Sequence, residues 1–238
     1  MGYFVASCVI GNRPNDPAYF GCVETFSAAS DQALLVSLGE EIGLPVHRRV
    51  VQLLRRIEAG RWPGVVNLHP AYCSILIRFD SLLTSHADLE ARVRGLLGAV
   101  AEIEEPETRL VEIPVRYGGD WGPDLARVAE LCGLSEEAVV ELHAATTFTV
   151  YFLGFVPGFA YMGSLPPALA VPRLEQPRKR VPAGSVAIAN DHTAVYPIAT
   201  PGGWRLIGRT EVTLFDPARE NLSLLHMGDR VRFIPVRT

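Results

Sequence analysis

The 238-residue chain sets 22 Lys and Arg against 26 Asp and Glu, and its 48% apolar and 20% charged content is that of a globular protein with room for one large or two modest domains. Its apolar runs fall short of the roughly 18 residues a membrane helix needs, and a net charge of −4 without an aromatic-interleaved basic face argues against nucleic acid. Four scattered cysteines and six isolated histidines show no CxxC, HxH or HExxH spacing, so no metal site is expected and the thiols read as free in a reducing compartment.

The opening MGYFVASCVIGNRP has no basic stretch ahead of its apolar residues and no small-residue cleavage site, so it does not read as a signal peptide and a cytoplasmic protein is expected. Residues 3–10 and 19–26 are apolar, β-branched and aromatic runs separated by GNRPNDP, which predicts two strands and a turn. A third strand is expected from Ala33 to Leu38. From Pro45 to Ala59, Val46, Val50, Leu53, Leu54 and Ile57 recur at helical spacing, with arginines mostly outside that stripe. Strands at Val65–Leu68 and Ser74–Phe79 flank HPAY. A second helix is predicted over Ala87–Ile103, capped by Ser85 and buried through Leu89, Val93, Leu96, Leu97 and Val100.

EEPET, at 104–108, is the charged, proline-bearing interruption that divides the chain into an α+β domain over 1–105 and a second domain over 106–238. Beyond it come a strand at Leu110–Tyr117, a helix with Pro123 near its start and Gly133 past its end, a helix capped by Ser135, and a strand over Phe148–Phe155. Val212–Phe215 and Arg230–Pro235 are expected to close the chain as strands.

The stretch from Leu153 to Thr210 organises the second half. Fifteen of its 58 residues are Gly or Pro, so it must run as short strands joined by tight turns, the texture of a barrel or sandwich. It holds six basic residues, Arg173, Arg178, Lys179, Arg180, Arg205 and Arg209, against Glu175 and Asp191, a +4 island in an acidic protein. Such an island on rigid turns suits an anionic small molecule or an acidic partner surface. Alternation puts Arg178 and Arg180 on one face and Lys179 on the other. Tyr196, Thr200 and the 201–203 turn, with Gly202 and Gly203, are expected to converge with them on one cleft. The single lysine is not preceded by the glycines of a Walker loop, which excludes a P-loop nucleotide site.

GFVPGFAYMGSLP, PRKRVPAGSVAIA and YPIATPGGWRLIGRT resemble the signature of the family that holds the B-type component of bacterial ATP-dependent 5-oxoprolinase and the kinase inhibitor KipI, related to part of the carboxyltransferase region of urea carboxylase. HPAYCSILIRFD, SDQALLVSLG and IPVRYGGDWGPDLARVAELCGLS extend the resemblance over about residues 30–236. It implies an N-terminal small α/β sandwich and a C-terminal cyclophilin-like β-barrel, ATP as co-substrate, a sister subunit of the C type, and a further A-type partner of the LamB/YcsF kind. The first thirty residues exceed the usual family start and read as an added hairpin or edge element. The family's glycine-rich loop ending in glutamine, threonine and glycine is replaced here by Asn190, Asp191, His192, Thr193 and Ala194, so an imidazole stands in place of a neutral amide.

Amide cleavage coupled to ATP needs cations for phosphate, donors for the oxyanion and a group to direct water. Arg178 and Arg180 supply the first, and the 201–203 backbone the second. Ser185, His192, Tyr196, Thr200, Gly202, Gly203 and Arg209 complete the expected ligand contacts, and His69, beside Pro70 and Tyr72, is the candidate base. The aromatic cluster Phe155, Phe159, Tyr161 and Trp204 reads as core or partner interface. Three functions remain open: a non-autonomous subunit of an ATP-dependent 5-oxoprolinase or related amide-cleaving enzyme acting on a small anionic or amide substrate, a KipI-type inhibitor of a sensor kinase, and a carboxyltransferase module acting on a biotin-borne carboxylate.

Overall fold

The structure, a computed structural model, describes residues 24–98 and 108–236. The first segment folds as β1 (Thr25–Ser30), β2 (Ala33–Ser37), α1 (Leu44–Gly60), β3 (Val65–Pro70), β4 (Ser74–Phe79) and α2 (His86–Gly98). The strands lie in the order β1-β2-β4-β3, each pair antiparallel. Strand alternation turns Leu34 and Val36 of β2 and Ile75, Ile77 and Phe79 of β4 to one face, where they pack on Val50, Leu53 and Ile57 of α1 and Leu89 and Val93 of α2. Pro45 sits in the first turn of α1, where its missing N–H costs nothing. The Ser85 hydroxyl accepts from the Asp88 amide at 3.2 Å and donates to the Asp88 carboxylate at 2.7 Å, capping α2 as expected.

The second segment folds as β5 (Leu110–Tyr117), α3 (Leu125–Cys132), α4 (Glu136–Ala145), β6 (Thr147–Leu153), β7 (Ala160–Gly163), β8 (Arg178–Val181), β9 (Ser185–Ala189), β10 (His192–Val195), β11 (Thr200–Gly202), β12 (Arg205–Arg209) and β13 (Arg230–Pro235). Seven of these close into a barrel in the order β10-β7-β6-β13-β5-β12-β9, sealed by the β9–β10 pair. Only the β5–β13 pair among them is parallel. The sheet and the barrel share no strand, so the chain is a small α/β sheet domain followed by a closed seven-stranded barrel, the α+β arrangement expected.

Both faces of β9 are buried, which explains its unbroken apolar SVAIA. Val186 and Ile188 fill the barrel with Ile113, Val150, Ile207 and Phe233. Ala187 and Ala189 turn outward, where their small side chains leave room for a layer of Phe159, Tyr196 and Trp204. The β8–β11 ribbon lies apart from the barrel ladder and adds Val181 to this outer layer.

Several expectations need correction. The predicted strand at 3–10 lies outside the described residues, as does 19–26 except for its last three, and the strand that forms there runs on to Ser30. Its sequence TFSAAS is mostly exposed at a sheet edge, so backbone pairing to β2 rather than an apolar pattern defines it. Val212–Phe215 makes one bridge, Phe215 to Ser223, because Asp216 accepts from the Ala218 amide at 2.9 Å and turns the chain at Pro217. The expected turn at 201–203 is in part strand, with Thr200 opposite Val181 and Gly202 opposite Arg178. The end of the second predicted helix and all of EEPET but Thr108 fall outside the described residues.

Candidate functional site

The two halves meet where the β3–β4 turn carries Tyr72 onto the barrel. The Tyr72 ring lies edge-on to Phe152 at 4.8 Å, His192 at 4.9 Å, Tyr151 at 5.4 Å and Tyr161 at 6.2 Å. Beside it His47 of α1, buried with Val51 off the expected stripe, donates through Nε2 to the Tyr151 carbonyl at 2.8 Å. Burial pushes the Tyr72 phenol well above its ordinary value, with Tyr161 and Asp191 adding and Arg173 opposing. Tyr72 is therefore a neutral hydroxyl at physiological pH.

The aromatic wall continues through Tyr161, 5.9 Å from Trp204, to the Arg173 guanidinium, 5.8 Å from the Trp204 ring centroid. Phe159 and Trp204 are buried and belong to the core, as the sequence suggests, whereas Phe155 is exposed at a left-handed φ of 65°. His192 opens β10 against Gly163 and Ala189. Its Nδ1 is 2.6 Å from Asp191 Oδ1, and its Nε2 is buried with no hydrogen-bond partner among the described residues. Burial lowers its pKa, outweighing the raising effect of Asp191.

The basic ribbon is divided. Arg178 donates through Nη2 to Asp124 at 2.7 Å, while its Nη1 is buried and unpartnered among the described residues. Asp124 is held in turn by the Leu206 amide, 2.7 Å from its second oxygen, so the YGGDWGPD turn is stapled to β12 and β8 together. Gly122 is required in that turn because a Cβ there would stand 2.1 Å from the Ile207 carbonyl oxygen. Arg180 and Lys179 are exposed, and Arg180 has no ion-pair or hydrogen-bond partner among the described residues.

Tyr196 is buried beneath the ribbon, and a Cβ on Gly202 would lie 2.3 Å from its hydroxyl, which accounts for that glycine. The Gly203 carbonyl accepts from the Leu174 amide at 2.8 Å. The expected residues thus fall at two places. Arg178, Arg180, Thr200, Gly202, Gly203 and Tyr196 gather on and under the ribbon. Ser185 is buried at the start of β9 opposite Arg209, which donates to the Ala183 carbonyl at 3.0 Å and lies 5.7 Å from the Trp121 ring. His192 pairs with Ala189 at the other end of β9, about 13 Å away by strand rise. His69 is exposed on edge strand β3, and the imidazoles at the seam are His47 and His192. Tyr72, Tyr151, Arg173 and Asp191 were not among the expected site residues, although an aromatic in a Pro-Ala-Tyr turn and a carboxylate beside His192 were visible signals. Among the described residues no group of three or more His, Cys, Asp or Glu is placed to hold a metal ion, and no helix is long and apolar enough to cross a membrane.

Fold and site together define a two-domain protein whose closed barrel bears a cationic, aromatic surface, covered at one edge by a turn from the smaller domain. Residues 24–225 match the carboxyltransferase domain, subdomain C and D. The chain is 46% identical to the B-type component of the 5-oxoprolinase of Escherichia coli O157:H7 over 86% of its own length and 93% of the relative's. The chain belongs to this family of B-type 5-oxoprolinase components. The crystal structure of TTHA0988 superposes on 87% of the chain with a TM-score of 0.78 at 39% identity, the match spanning 40% of that longer chain. The K. lactis urea amidolyase superposes on 90% of the chain with a TM-score of 0.72, at 22% identity and over 15% of its length, a likeness of fold alone.

Proposed function

We propose that this chain is the B-type component of an ATP-dependent 5-oxoprolinase, a cytoplasmic enzyme that opens a cyclic amide, and that it is inactive without its sister subunits. The observation that supports this reading is 46% identity over 93% of a relative named as the B-type component of 5-oxoprolinase. The partners are a C-type sister and an A-type sister of the LamB/YcsF kind.

The chemistry these residues offer is that of part of a site. Arg180, free of partners among the described residues, and the unpartnered Nη1 of Arg178 would hold phosphate or carboxylate, and guanidinium forks suit both. Thr200, on the strand paired to β8, adds a hydroxyl. The half-buried neutral tyrosines Tyr72 and Tyr161 would bound a small lactam. With no P-loop in the sequence, nucleotide binding falls to a surface shared with a sister subunit. Tagged chain co-expressed with both sister subunits should bring them down together and elute as one species. Failure to associate with either would overturn the reading. A carboxyltransferase role is the second reading, favoured by the description of the matched domain; carboxyl transfer from biotin by the purified complex would establish it instead.

A further inference from the structure

We propose that Arg116 and Arg209, with Trp121 laid against both, form a phosphoryl-binding site at the Ser185 end of β9, distinct from the β8–β11 ribbon. The inference goes beyond the amide-cleaving reading above and does not depend on it.

Strand register brings the two arginines together. Arg209 of β12 lies directly opposite Arg116 of β5 in an antiparallel pair, so both side chains leave the same face of the ladder, with Cβ atoms about 4.5–5.5 Å apart. Ile113 and Val115 of β5 fill the barrel, so Arg116, next along the strand, points outward. Like charges directly opposite one another destabilise a sheet, and the protein answers this pair incompletely. Trp121, from the turn before α3, lies 5.1 Å from Arg116 and 5.7 Å from Arg209, so a single ring serves two guanidinium groups. Among the described residues Glu211 is the one carboxylate in ion-pair range. It stands 3.5 Å from Arg116 and is 77% exposed, where solvent weakens the attraction.

Both forks are free to turn to a ligand. Arg209 donates through Nε to the Ala183 carbonyl at 3.0 Å, which fixes the side chain and leaves its two Nη groups to donate elsewhere. A cleft of about 440 Å³ opens beside it, lined by Trp121, Gly184, Arg209, Thr210, Glu211 and Thr213. Two guanidinium groups against one solvated carboxylate leave positive charge in excess at this concave surface. A phosphoryl group presents three acceptor oxygens and about two negative charges near neutral pH, enough to accept from both forks at once. A lone carboxylate has two oxygens and is filled by one fork. Inorganic phosphate and the phosphates of a nucleotide share this chemistry.

The test uses the full chain and its three tryptophans. Trp62 packs in the sheet domain and Trp204 lies beside Arg173, so their indole N–H signals in NMR report on places other than Trp121. Inorganic phosphate, ATP and acetate are titrated in turn, with ionic strength held constant by chloride. The Trp121 signal should move saturably with phosphate, with ATP or with both, and little with acetate; which of the two moves it separates free ion from nucleotide. Arg116→Gln and Arg209→Gln should each weaken that response by about 10-fold or more. Arg116→Gln also removes a like charge, so in chloride its melting temperature should equal or exceed that of the wild type, while phosphate should raise the melting temperature of the wild type alone. A Trp121 signal unmoved by phosphate and ATP, an equal response to acetate, or unchanged affinity in both variants overturns the inference. A Trp121 signal that moves only on adding a sister subunit overturns it in favour of a protein interface. Each of these outcomes leaves turnover by the assembled complex, and so the functional reading, to be judged separately.

Discussion

His143 makes the barrel acid-labile in a way that can be isolated. The residue is fully buried on α4 and stacks on Phe233 at 4.7 Å. Its hydrogen bonds run in one direction. The Thr193 hydroxyl donates to the Ala187 carbonyl at 3.2 Å and so accepts from His143 Nε2–H at 2.9 Å, which leaves Nδ1 to accept from the Tyr117 hydroxyl at 2.8 Å. A neutral ring satisfies every member of this chain, and burial lowers the His143 pKa to about 3. In the unfolded chain it titrates near 6.5. Below that value the unfolded state binds a proton that the folded state refuses, so stability falls with pH from about 6.5 towards about 3. Between pH 7 and pH 5 this one residue removes about 2 kcal/mol. His143→Leu abolishes that titration while lowering stability near pH 7, where Tyr117 and Thr193 lose their partner. Urea denaturation of both proteins across pH 5 to 7 should give a wild-type curve steeper by about 2 kcal/mol over the range. Parallel curves would refute the buried, neutral imidazole.

Asp124→Ala should cost about 2–4 kcal/mol in urea denaturation, since it strands both Arg178 Nη2 and the Leu206 amide; a loss below about 1 kcal/mol would show that water replaces it. Arg180→Lys should leave stability unchanged and weaken a phosphate or carboxylate ligand, or the sister subunit, by about 1.5–3 kcal/mol in calorimetry. Equal affinity would remove Arg180 from the anion site. Limited proteolysis should nick the chain near Pro106, releasing the sheet domain from the barrel; persistent resistance there would place the boundary elsewhere.

Local signals carried most of the elements. The α1 stripe, the Ser85 and Ser135 caps and the Gly133 terminator each act within a few residues, and each stands where the sequence puts it. Edge strand β1 was hidden because edge strands are specified by a neighbour's backbone, not by their own apolar pattern. The site was legible as composition but not as arrangement. Alternation groups Arg178 with Arg180, yet only the fold brings Asp124, 54 residues earlier, onto Arg178. Tyr72 and His192 are separated by a domain boundary, and no periodicity links them. His47 and Val51 show the same limit, since a helix stripe reports one packed face and α1 has a second against the barrel.

Glutamate formation from 5-oxoproline, measured with ADP release, shows whether this chain supplies part of an ATP-dependent lactam-opening site when it is assayed alone and mixed with the proposed C-type and A-type sisters. No turnover is expected from the chain alone, and glutamate should form with ADP in the complete mixture and be lost when this chain is left out. Turnover by the isolated chain, or 5-oxoproline left intact by the complete mixture, would contradict the shared site.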